Sequence, residues 1–260
     1  MSFTAKDVMT LREKSGAGML DCKKALTDAD GDMEKAAELL RERGIAKAVK
    51  KESRIAAEGA VGAYICPECG VGVLLEINCE SDFVSAGDKF KGIVSSVAKV
   101  IAQNKPADLD ALNECKIGDE TVKQFITNNT AVIGEKISIR RFEIYETTGK
   151  IETYIHMGGK VGVMIDAIDF TAGSEETLHD IALQIAASKP GYITEAEVPA
   201  EVLEKEKEIM LVQMQNDPKN ANKPKAILEK IVAGKMGKFY SENCLMEQPF
   251  VKDDSLKVSQ

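Results

Sequence analysis

The chain has 260 residues, of which 44% are apolar and 29% are charged, a composition typical of a globular protein with one to three domains. It contains no apolar run near the ~20 residues of a membrane-spanning helix and no apolar signal core at its N-terminus, so we expect an intracellular protein that binds no membrane. In that setting the six cysteines are expected to be reduced thiols rather than a disulfide framework.

Charge is unevenly distributed along the chain. Residues 1–58 contain 12 Lys and Arg against 11 Asp and Glu, whereas the rest of the chain contains 22 against 31. A protein that binds nucleic acid usually carries a basic face, and the candidate basic patch here is confined to the segment between Lys47 and Arg54. We therefore expect an acidic body that binds a protein partner and makes no direct contact with nucleic acid.

Residues 1–44 predict a domain of three short helices. Thr4 and Asp7 resemble an N-cap pair at the start of the first helix. The segment Ser15–Gly18 is typical of a helix end followed by a turn, and Gly44 is expected just after the last turn of the third helix. A bundle of this size is usually a docking module and rarely an enzyme.

An internal repeat with an offset of 90 residues organises the remainder of the chain. Tyr64-Ile65 recurs as Tyr154-Ile155, and the strand pattern VGVLLE at 71–76 recurs as VGVMID at 161–166. After each strand an amphipathic helix runs to a Lys-Pro pair, where proline prevents the helix from continuing. The repeat predicts two similar α+β halves, each containing a hairpin followed by a helix.

The predicted boundaries follow from this repeat: a basic, Ala-rich helical linker at 45–58, a first half of the core at 59–147 and a second half at 148–260. The strand Lys136–Tyr145 completes the sheet of the first half. The second half includes an antiparallel helical hairpin at about residues 199–240, whose two charged helices are joined by the turn Asp217–Pro224. No closing strand follows this hairpin, so the partner strand that the repeat predicts for the sheet of the second half is missing.

The segment Glu76–Ser85 leaves the first strand of the repeat and carries one large apolar side chain, Phe83, among polar residues. In one interpretation Ser81 or Asp82 caps a helix and Phe83 packs into the core as a hydrophobic staple. In the other, a polar strand exit presents Phe83 to a partner. The residues alone favour the first interpretation, which predicts a buried Phe83.

Patterns of catalytic and metal-binding residues are weak. The chain has two histidines, of which His156 lies at a strand end where a loop could expose it, and it has no Ser-His-Asp pattern, phosphate loop or dinucleotide fingerprint. Cys66-Pro-Glu-Cys69 is half of a zinc site, but it lies between two strands and does not open a helix as thioredoxin-type motifs do. We interpret it as a hairpin tip closed by Gly70, and we predict no cofactor and no metal site.

Five segments, in order along nearly the whole chain, are similar to signatures of one family, bacterial elongation factor Ts. They are Leu11–Leu26 (LREKSGAGMLDCKKAL), Glu76–Ser85 (EINCESDFVS), Tyr154–Gly158 (YIHMG), Ala186–Pro190 (AASKP) and Gln248–Val251 (QPFV). Ser15 and Ser81 stand where that family usually has threonine, and both keep the hydroxyl. The Cys-Pro-Glu-Cys tip is unusual for the family. Longer members continue past the last residues with a helix, a strand and a terminal helix, so the resemblance implies that this chain is truncated at its C-terminal end.

The resemblance implies a cytoplasmic translation elongation factor with a UBA-like three-helix domain before its α+β core. It implies a guanine-nucleotide exchange factor for elongation factor Tu that performs no covalent chemistry. In that mechanism Ser81-Asp82-Phe83-Val84 enters the GTPase beside its magnesium ion and nucleotide, with Phe83 as a wedge between helices and Asp82 disturbing the magnesium. Further candidate contacts are Arg12, Lys23, Lys24 and His156, and the resemblance is compatible with a dimer of two factor–Tu heterodimers.

Two other classes of function stay open. One is a non-catalytic interaction scaffold built on the three-helix domain, and the other, less favoured, is a metal or redox protein built on Cys66 and Cys69. The exchange-factor interpretation requires an exposed Phe83 with Asp82 beside it at the same surface, whereas the staple interpretation requires a buried Phe83.

Overall fold

The structure is a computed structural model that describes residues 3–217 and 224–260. Its contacts divide the chain into two units, with the division between Phe170 and Thr171. The boundary between the two predicted halves lies earlier, at residue 148, so the second hairpin of the repeat belongs to the first contact unit. The division of the core into two halves at residue 148 stays a prediction. The turn predicted at Asp217–Pro224 falls largely on residues 218–223, which lie outside the described residues.

The first unit has the mixture of helices and antiparallel strands that the sequence predicts. In chain order its elements are α1 (Ala5–Ser15), α2 (Met19–Asp28), α3 (Met33–Val49), β1 (Glu58–Cys66), β2 (Val71–Cys79), α4 (Asp82–Ala86), α5 (Asp88–Asn104), α6 (Leu109–Glu114), β3 (Lys116–Ile117), β4 (Glu120–Thr121), α7 (Val122–Ile133), β5 (Ser138–Glu146), β6 (Lys150–His156) and β7 (Val161–Ala167).

Capping residues mark the start of the N-terminal helices α1 and α3 and the end of α1. Thr4 and Asp7 form a capping box at the start of α1, which ends at Gly16 with a left-handed φ of 65°. The Asp32 side chain accepts hydrogen bonds from the first backbone N–H groups of α3. The helices share a small core that includes Leu11, Leu26 and Leu40, so the three predicted helices and their packing are confirmed, whereas their standing as a separate domain stays a prediction.

The expected end of the third helix at Gly44 is wrong, because α3 continues to Val49. Gly44 lies where α3 packs on α7, and a Cβ atom there would be 2.9 Å from the Ala131 Cβ atom. The glycine therefore allows two helices to approach closely instead of ending one of them. The segment predicted as a separate helical linker starts as the last turn of α3 and continues as turns from residue 50 to 53.

The central sheet of the first unit has the order β1-β2-β5 and is antiparallel throughout. Along β2 the alternate residues from Val71 to Cys79 are buried, which confirms the strand predicted from their spacing. The helix α5 packs on β1 and β2 and contributes a large set of buried apolar side chains, among them Phe90, Ile93, Val94, Val97 and Ile101. Burying each of the larger ones contributes about 1.5–3 kcal/mol to folding.

The second hairpin of the repeat, β6–β7, packs on the first hairpin through two glycines that are equivalent in the repeat. A Cβ atom at Gly72 would be 2.7 Å from Ile151 Cγ2, and a Cβ atom at Gly162 would be 2.5 Å from Val61 Cγ1. The Val61 N–H also donates a hydrogen bond of 2.7 Å to the Gly159 carbonyl. Each hairpin thus uses a glycine to admit a branched side chain of the other.

The second unit contains α8 (Glu175–Ser188), a 3-10 turn at Glu195–Glu197, α9 (Ala200–Asn216), α10 (Lys225–Asn243), a 3-10 turn at Leu245–Glu247, β8 (Pro249–Phe250) and β9 (Asp253–Lys257). Met214 of α9 is buried with Leu228 and Val232 of α10, which confirms the helical hairpin. The helices α5 and α8 both end at a lysine with left-handed φ before proline, at 48° for Lys105 and 47° for Lys189.

The last 20 residues, for which the sequence shows little periodicity, are tied to α8 by a buried glutamine. Gln184 is fully buried, and its amide donates to Gln248 Oε1 at 3.1 Å and to the Pro249 carbonyl at 3.2 Å. The Val251 N–H donates to Gln184 Oε1 at 2.7 Å. Of the predicted apolar face of α8, Leu178 and Ala182 are buried and Ile181 and Ile185 are half-buried. Within residues 3–217 and 224–260, no helix combines the length and the apolar character that crossing a bilayer requires.

Candidate functional site

The strand exit after β2 is organised by Ser81. Its hydroxyl oxygen accepts a hydrogen bond from the Val84 N–H at 3.4 Å and so caps the short helix α4. The Ser85 hydroxyl closes the same turn by donating to the Asp82 carbonyl at 3.0 Å. The N-cap predicted at this position is therefore confirmed, and it determines which faces of α4 point inward and outward.

The turn of α4 directs Phe83 into solvent. Its side chain is 87% exposed, and the neighbouring Asp82 is exposed as well. Val84 packs against the core of the first unit and Ser85 is buried. Since successive residues of a helix are rotated by about 100°, a cap that turns Val84 and Ser85 inward turns Asp82 and Phe83 outward. The buried staple expected from the residues alone is wrong, and the exposed arrangement that the resemblance required is present.

A second segment of the chain braces this exit. Glu135, in the loop between α7 and β5, accepts a hydrogen bond from the Ser81 N–H at 2.9 Å and another from the Ser81 hydroxyl at 2.7 Å. In the opposite direction, Glu80 accepts a hydrogen bond of 2.6 Å from the Lys136 N–H and two longer ones from the Arg54 guanidinium. Glu135 of the loop thus binds the strand exit, and Glu80 of the strand exit binds the loop, so the two segments hold each other in place next to Phe83.

These contacts and the burial of the strand exit change the pKa values of two of its side chains, Glu80 and Cys79. The hydrogen bond from the Lys136 N–H, helped by Arg54, lowers the pKa of Glu80 below its ordinary value. Burial, together with the nearby Glu135 carboxylate, raises the pKa of the Cys79 thiol to about 11. Cys79 therefore remains a protonated thiol and donates to the Ser81 carbonyl at 3.2 Å, which makes it a structural donor rather than a nucleophile.

The tip of the β6–β7 hairpin lies at the same end of the sheet as the strand exit. His156 and Met157 are exposed there, and the His156 ring stacks on Tyr154 with 2.9 Å between Nδ1 and the Tyr154 hydroxyl. Lys160 pairs with Glu58 of β1. The pKa of Lys160 is raised mainly by the Glu58 hydrogen bond, with a contribution from the Asp82 carboxylate. The structure thus brings the β6–β7 tip with His156 to the end of the sheet at which Asp82 and Phe83 are exposed.

The basic candidates of the N-terminal helices are exposed but distributed differently. Arg12 lies in a shallow groove that Met9 and Met19 also line, and this groove reaches Lys89 at the start of α5. Arg12 therefore lies near the start of α5, the helix that follows the strand exit in the chain. Lys23 and Lys24 are exposed on α2; they do not line this groove.

A disulfide bond joins Cys66 and Cys69, so the expectation of six reduced thiols is wrong for these two residues. Cys22, Cys79 and Cys244 are free and buried, and Cys115 is free and half-buried. Within the described residues, no group of three or more His, Cys, Asp and Glu side chains is arranged to hold a metal ion.

Sequence reasoning missed Glu135, Glu80 and the helix α7 that positions Glu135. The pair Thr121 and Gln124 forms a capping box and Gly134 ends α7 with φ of 88°, so the helix could have been found from these local signals. The contact of Glu135 with Ser81 spans 54 residues of sequence and has no local signal.

These features define a class: an α+β protein whose braced, solvent-exposed aromatic residue is of the kind that anchors protein–protein interfaces. The family model described as "Elongation factor TS" matches residues 80–260. The chain is 44% identical over 264 residues to elongation factor Ts of Halothermothrix orenii, covering 100% of this chain and 87% of that protein. It is 43% identical over 266 residues to elongation factor Ts of Nitratiruptor sp., covering 100% and 86%. It is 46% identical over 264 residues to that of Symbiobacterium thermophilum, covering 98% and 84%. The chain belongs to the elongation factor Ts family and is a translation elongation factor.

Proposed function

We propose that this protein binds elongation factor Tu, in its GDP-bound and nucleotide-free forms, and promotes GDP release without covalent chemistry. The observation that supports the proposal is the 87% exposure of Phe83 on a turn braced by Glu135, with Asp82 exposed beside it. A large aromatic side chain held in water by fixed hydrogen bonds is costly to the free protein and useful to a complex, because the ordering is complete before binding.

The exchange is a coupling of two binding equilibria. A factor that binds nucleotide-free Tu more tightly than the GDP form must weaken GDP binding by the same ratio. Burial of Phe83 between elements of the GTPase contributes about 1.5–3 kcal/mol, or roughly one to two powers of ten in that ratio. Asp82 supplies a negative charge close to the bound magnesium, and displacing that cation weakens the hold on the diphosphate.

Additional contacts are needed because one phenylalanine accounts for part of the coupling. The β6–β7 tip with His156 lies at the same end of the sheet as the strand exit, and Arg12 lies in a groove that reaches Lys89. Lys23 and Lys24 are exposed on α2. We assign all four side chains to the interface with Tu. We further propose that the factor acts in the cytoplasm without direct contact to nucleic acid, as one heterodimer or as a dimer of two, which a mass measurement of the complex distinguishes.

The test is stimulated release of a fluorescent GDP analogue from elongation factor Tu by the full chain. Phe83→Ala is expected to slow stimulated release by about ten- to a hundredfold, the ratio that corresponds to burial of the side chain. Ile168→Ala is the matched control, because Ile168 is also strongly exposed, at 74%, but follows β7 at the end of the hairpin away from His156. Equal release by the Phe83 variant and the control would refute the role of Phe83.

The same assay separates the competing class of function. A non-catalytic scaffold would use the exposed Met9, Met19 and Leu20 of the N-terminal helices and would bind Tu without accelerating GDP release. Binding measured by calorimetry, combined with release at the unstimulated rate, would favour the scaffold.

A further inference from the structure

The tip of the β1–β2 hairpin carries a pair of cysteines that the exchange function does not use. Cys66 is the last residue of β1, and Cys69 comes two residues before β2. Their sulfur atoms are bonded, and their Cα atoms are 5.6 Å apart, within the usual range for a disulfide. The tip is held in place because the Thr147 N–H donates to the Gly70 carbonyl at 3.0 Å. A hairpin therefore keeps the two cysteines in bonding position.

The pair differs from the other cysteines in access to solvent. Cys69 and the two residues between the pair are exposed, and Cys66 is half-buried. The remaining four cysteines are buried or half-buried, and burial raises the pKa of the Cys79, Cys115 and Cys244 thiols. The thiolate is the reactive form and must be reached by its partner. Of the six cysteines, Cys69 at the hairpin tip is therefore the one that a dissolved disulfide reaches most easily.

The tip is also remote from the strand exit. In the register of β1 and β2, Cys66 pairs with Val71 at one end, and Glu58 pairs with Cys79 at the other. Eight residue steps along β2 span roughly 26 Å at about 3.3 Å per residue. Chemistry at Cys69 is therefore separated from Phe83 by the length of the strand, and the two functions can be tested independently.

We propose that Cys66 and Cys69 form a reversible dithiol–disulfide site that exchanges with low-molecular-weight disulfides such as oxidised glutathione. In the reduced protein the Cys69 thiol loses its proton and its thiolate attacks one sulfur of the glutathione disulfide. That S–S bond breaks, and one glutathione thiolate leaves and takes up a proton. The Cys66 thiolate then attacks Cys69 Sγ, forms the intramolecular bond and releases the second glutathione. Two cysteine thiols are oxidised, and one glutathione disulfide is reduced to two thiols.

The first test counts thiols in the full chain by alkylation and mass spectrometry. After reduction all six cysteines are expected to be alkylated under denaturing conditions, and after treatment of the folded protein with oxidised glutathione four are expected. The double variant Cys66→Ser/Cys69→Ser is expected to show four in both states. Six thiols in the treated protein, or a loss of two thiols in the double variant, would overturn the proposal.

The second test identifies the attacking sulfur. Cys66→Ser lacks the resolving thiol and is expected to accumulate one glutathione on Cys69, at a rate at least several-fold above that at which Cys69→Ser accumulates one on the half-buried Cys66. Equal rates would contradict the order of steps. Zinc analysis of the reduced protein is the remaining check. One zinc ion per two chains, with loss of glutathione reactivity, would show that the pair is half of a shared metal site and would overturn the exchange proposal. Neither test requires elongation factor Tu, so its result is independent of the proposed exchange activity.

Discussion

The Glu135 carboxylate receives both hydrogen-bond donors of Ser81, the backbone N–H at 2.9 Å and the hydroxyl at 2.7 Å. Ser81 in turn caps the turn that carries Phe83. A residue 54 positions away in the chain therefore determines how rigidly the exposed aromatic side chain is presented. Glu135 is a positioning residue in the proposed exchange mechanism, because it acts on Phe83 through Ser81.

Replacement of Glu135 is expected to loosen the strand exit without removing any group proposed to contact Tu. Glu135→Gln keeps one acceptor oxygen and replaces the other with an NH2 group that cannot accept, so one of the two hydrogen bonds from Ser81 becomes neutral and the other is lost as it stands. We therefore expect a loss of about 1 kcal/mol in the free energy of unfolding. Stimulated GDP release should slow with Phe83 still present. The control is Glu114→Gln, a substitution of the same chemistry at an exposed position at the end of α6. Unchanged unfolding and release in the Glu135 variant would refute the brace.

We expect the stability of the protein to depend on a hydroxyl group at position 81, whether serine or threonine supplies it. Ser81→Ala removes the N-cap and one of the two donors to Glu135, and we expect it to cost about 1–2 kcal/mol in the free energy of unfolding. Ser81→Thr keeps the hydroxyl and should stay within about 0.5 kcal/mol of the parent protein. Urea denaturation of the two variants measures both values, and equal stabilities would contradict the capping role.

Gly44 provides a test of the contact between α3 and α7. Alanine normally stabilises the interior of a helix by about 0.5–1 kcal/mol relative to glycine. At Gly44 the added Cβ atom would lie 2.9 Å from Ala131 Cβ, so we expect Gly44→Ala to destabilise the protein by about 1–3 kcal/mol instead.

Two further variants isolate this contact. Gly92 in α5 has no atom within 4 Å of its added Cβ position, so Gly92→Ala is expected to be neutral or stabilising. Ala131→Gly should restore much of the stability lost in Gly44→Ala, and their coupling in a double-mutant cycle measures the contact. Stabilisation by Gly44→Ala alone would show that the two helices are not in close contact in solution.

The lowered pKa of Glu80 predicts that the free energy of unfolding decreases in acid. Its pKa is lowered in the folded protein by the Lys136 N–H and by Arg54. A carboxyl group with a depressed folded-state pKa contributes stability that is complete above its ordinary pKa near 4.5 and is lost as the pH falls through the lower folded-state value. The free energy of unfolding of Glu80→Gln should therefore depend less on pH below about 4.5 than that of the parent protein. Parallel pH profiles for the two proteins would contradict this assignment.

Features that depend on neighbouring residues were predictable from the sequence. The cap at Thr4, the alternation along β2 and the apolar face of α5 each depend on residues within one or two turns or along one strand. The spacing of the repeat also located both hairpins, although it did not show that Gly72 and Gly162 admit side chains of the opposite hairpin. Short-range patterns of this kind reflect backbone chemistry and burial that act locally.

Features that depend on distant residues were not predictable in this way. Local chemistry at Ser81 is compatible with either direction of Phe83, and the residues alone favoured the wrong one. Gly44 has the signal of a helix end, yet α3 continues because packing on α7 stabilises the additional turns. Gln184 is polar and lies outside the apolar face predicted for α8, yet it is buried because Gln248 and the backbone groups of Pro249 and Val251 satisfy its amide.

The sequence by itself determined the family, the α+β class and those helices and strands that have a clear hydrophobic period, because motif order and hydrophobic period are properties of the chain alone. Only the tertiary structure decided that Phe83 is exposed, that Glu135 braces its turn, that His156 lies at the same end of the sheet and that Cys66 and Cys69 are bonded. The physical reason is that each of these depends on which distant groups occupy the neighbouring space, and hydrogen bonds and close packing select that arrangement at atomic distances.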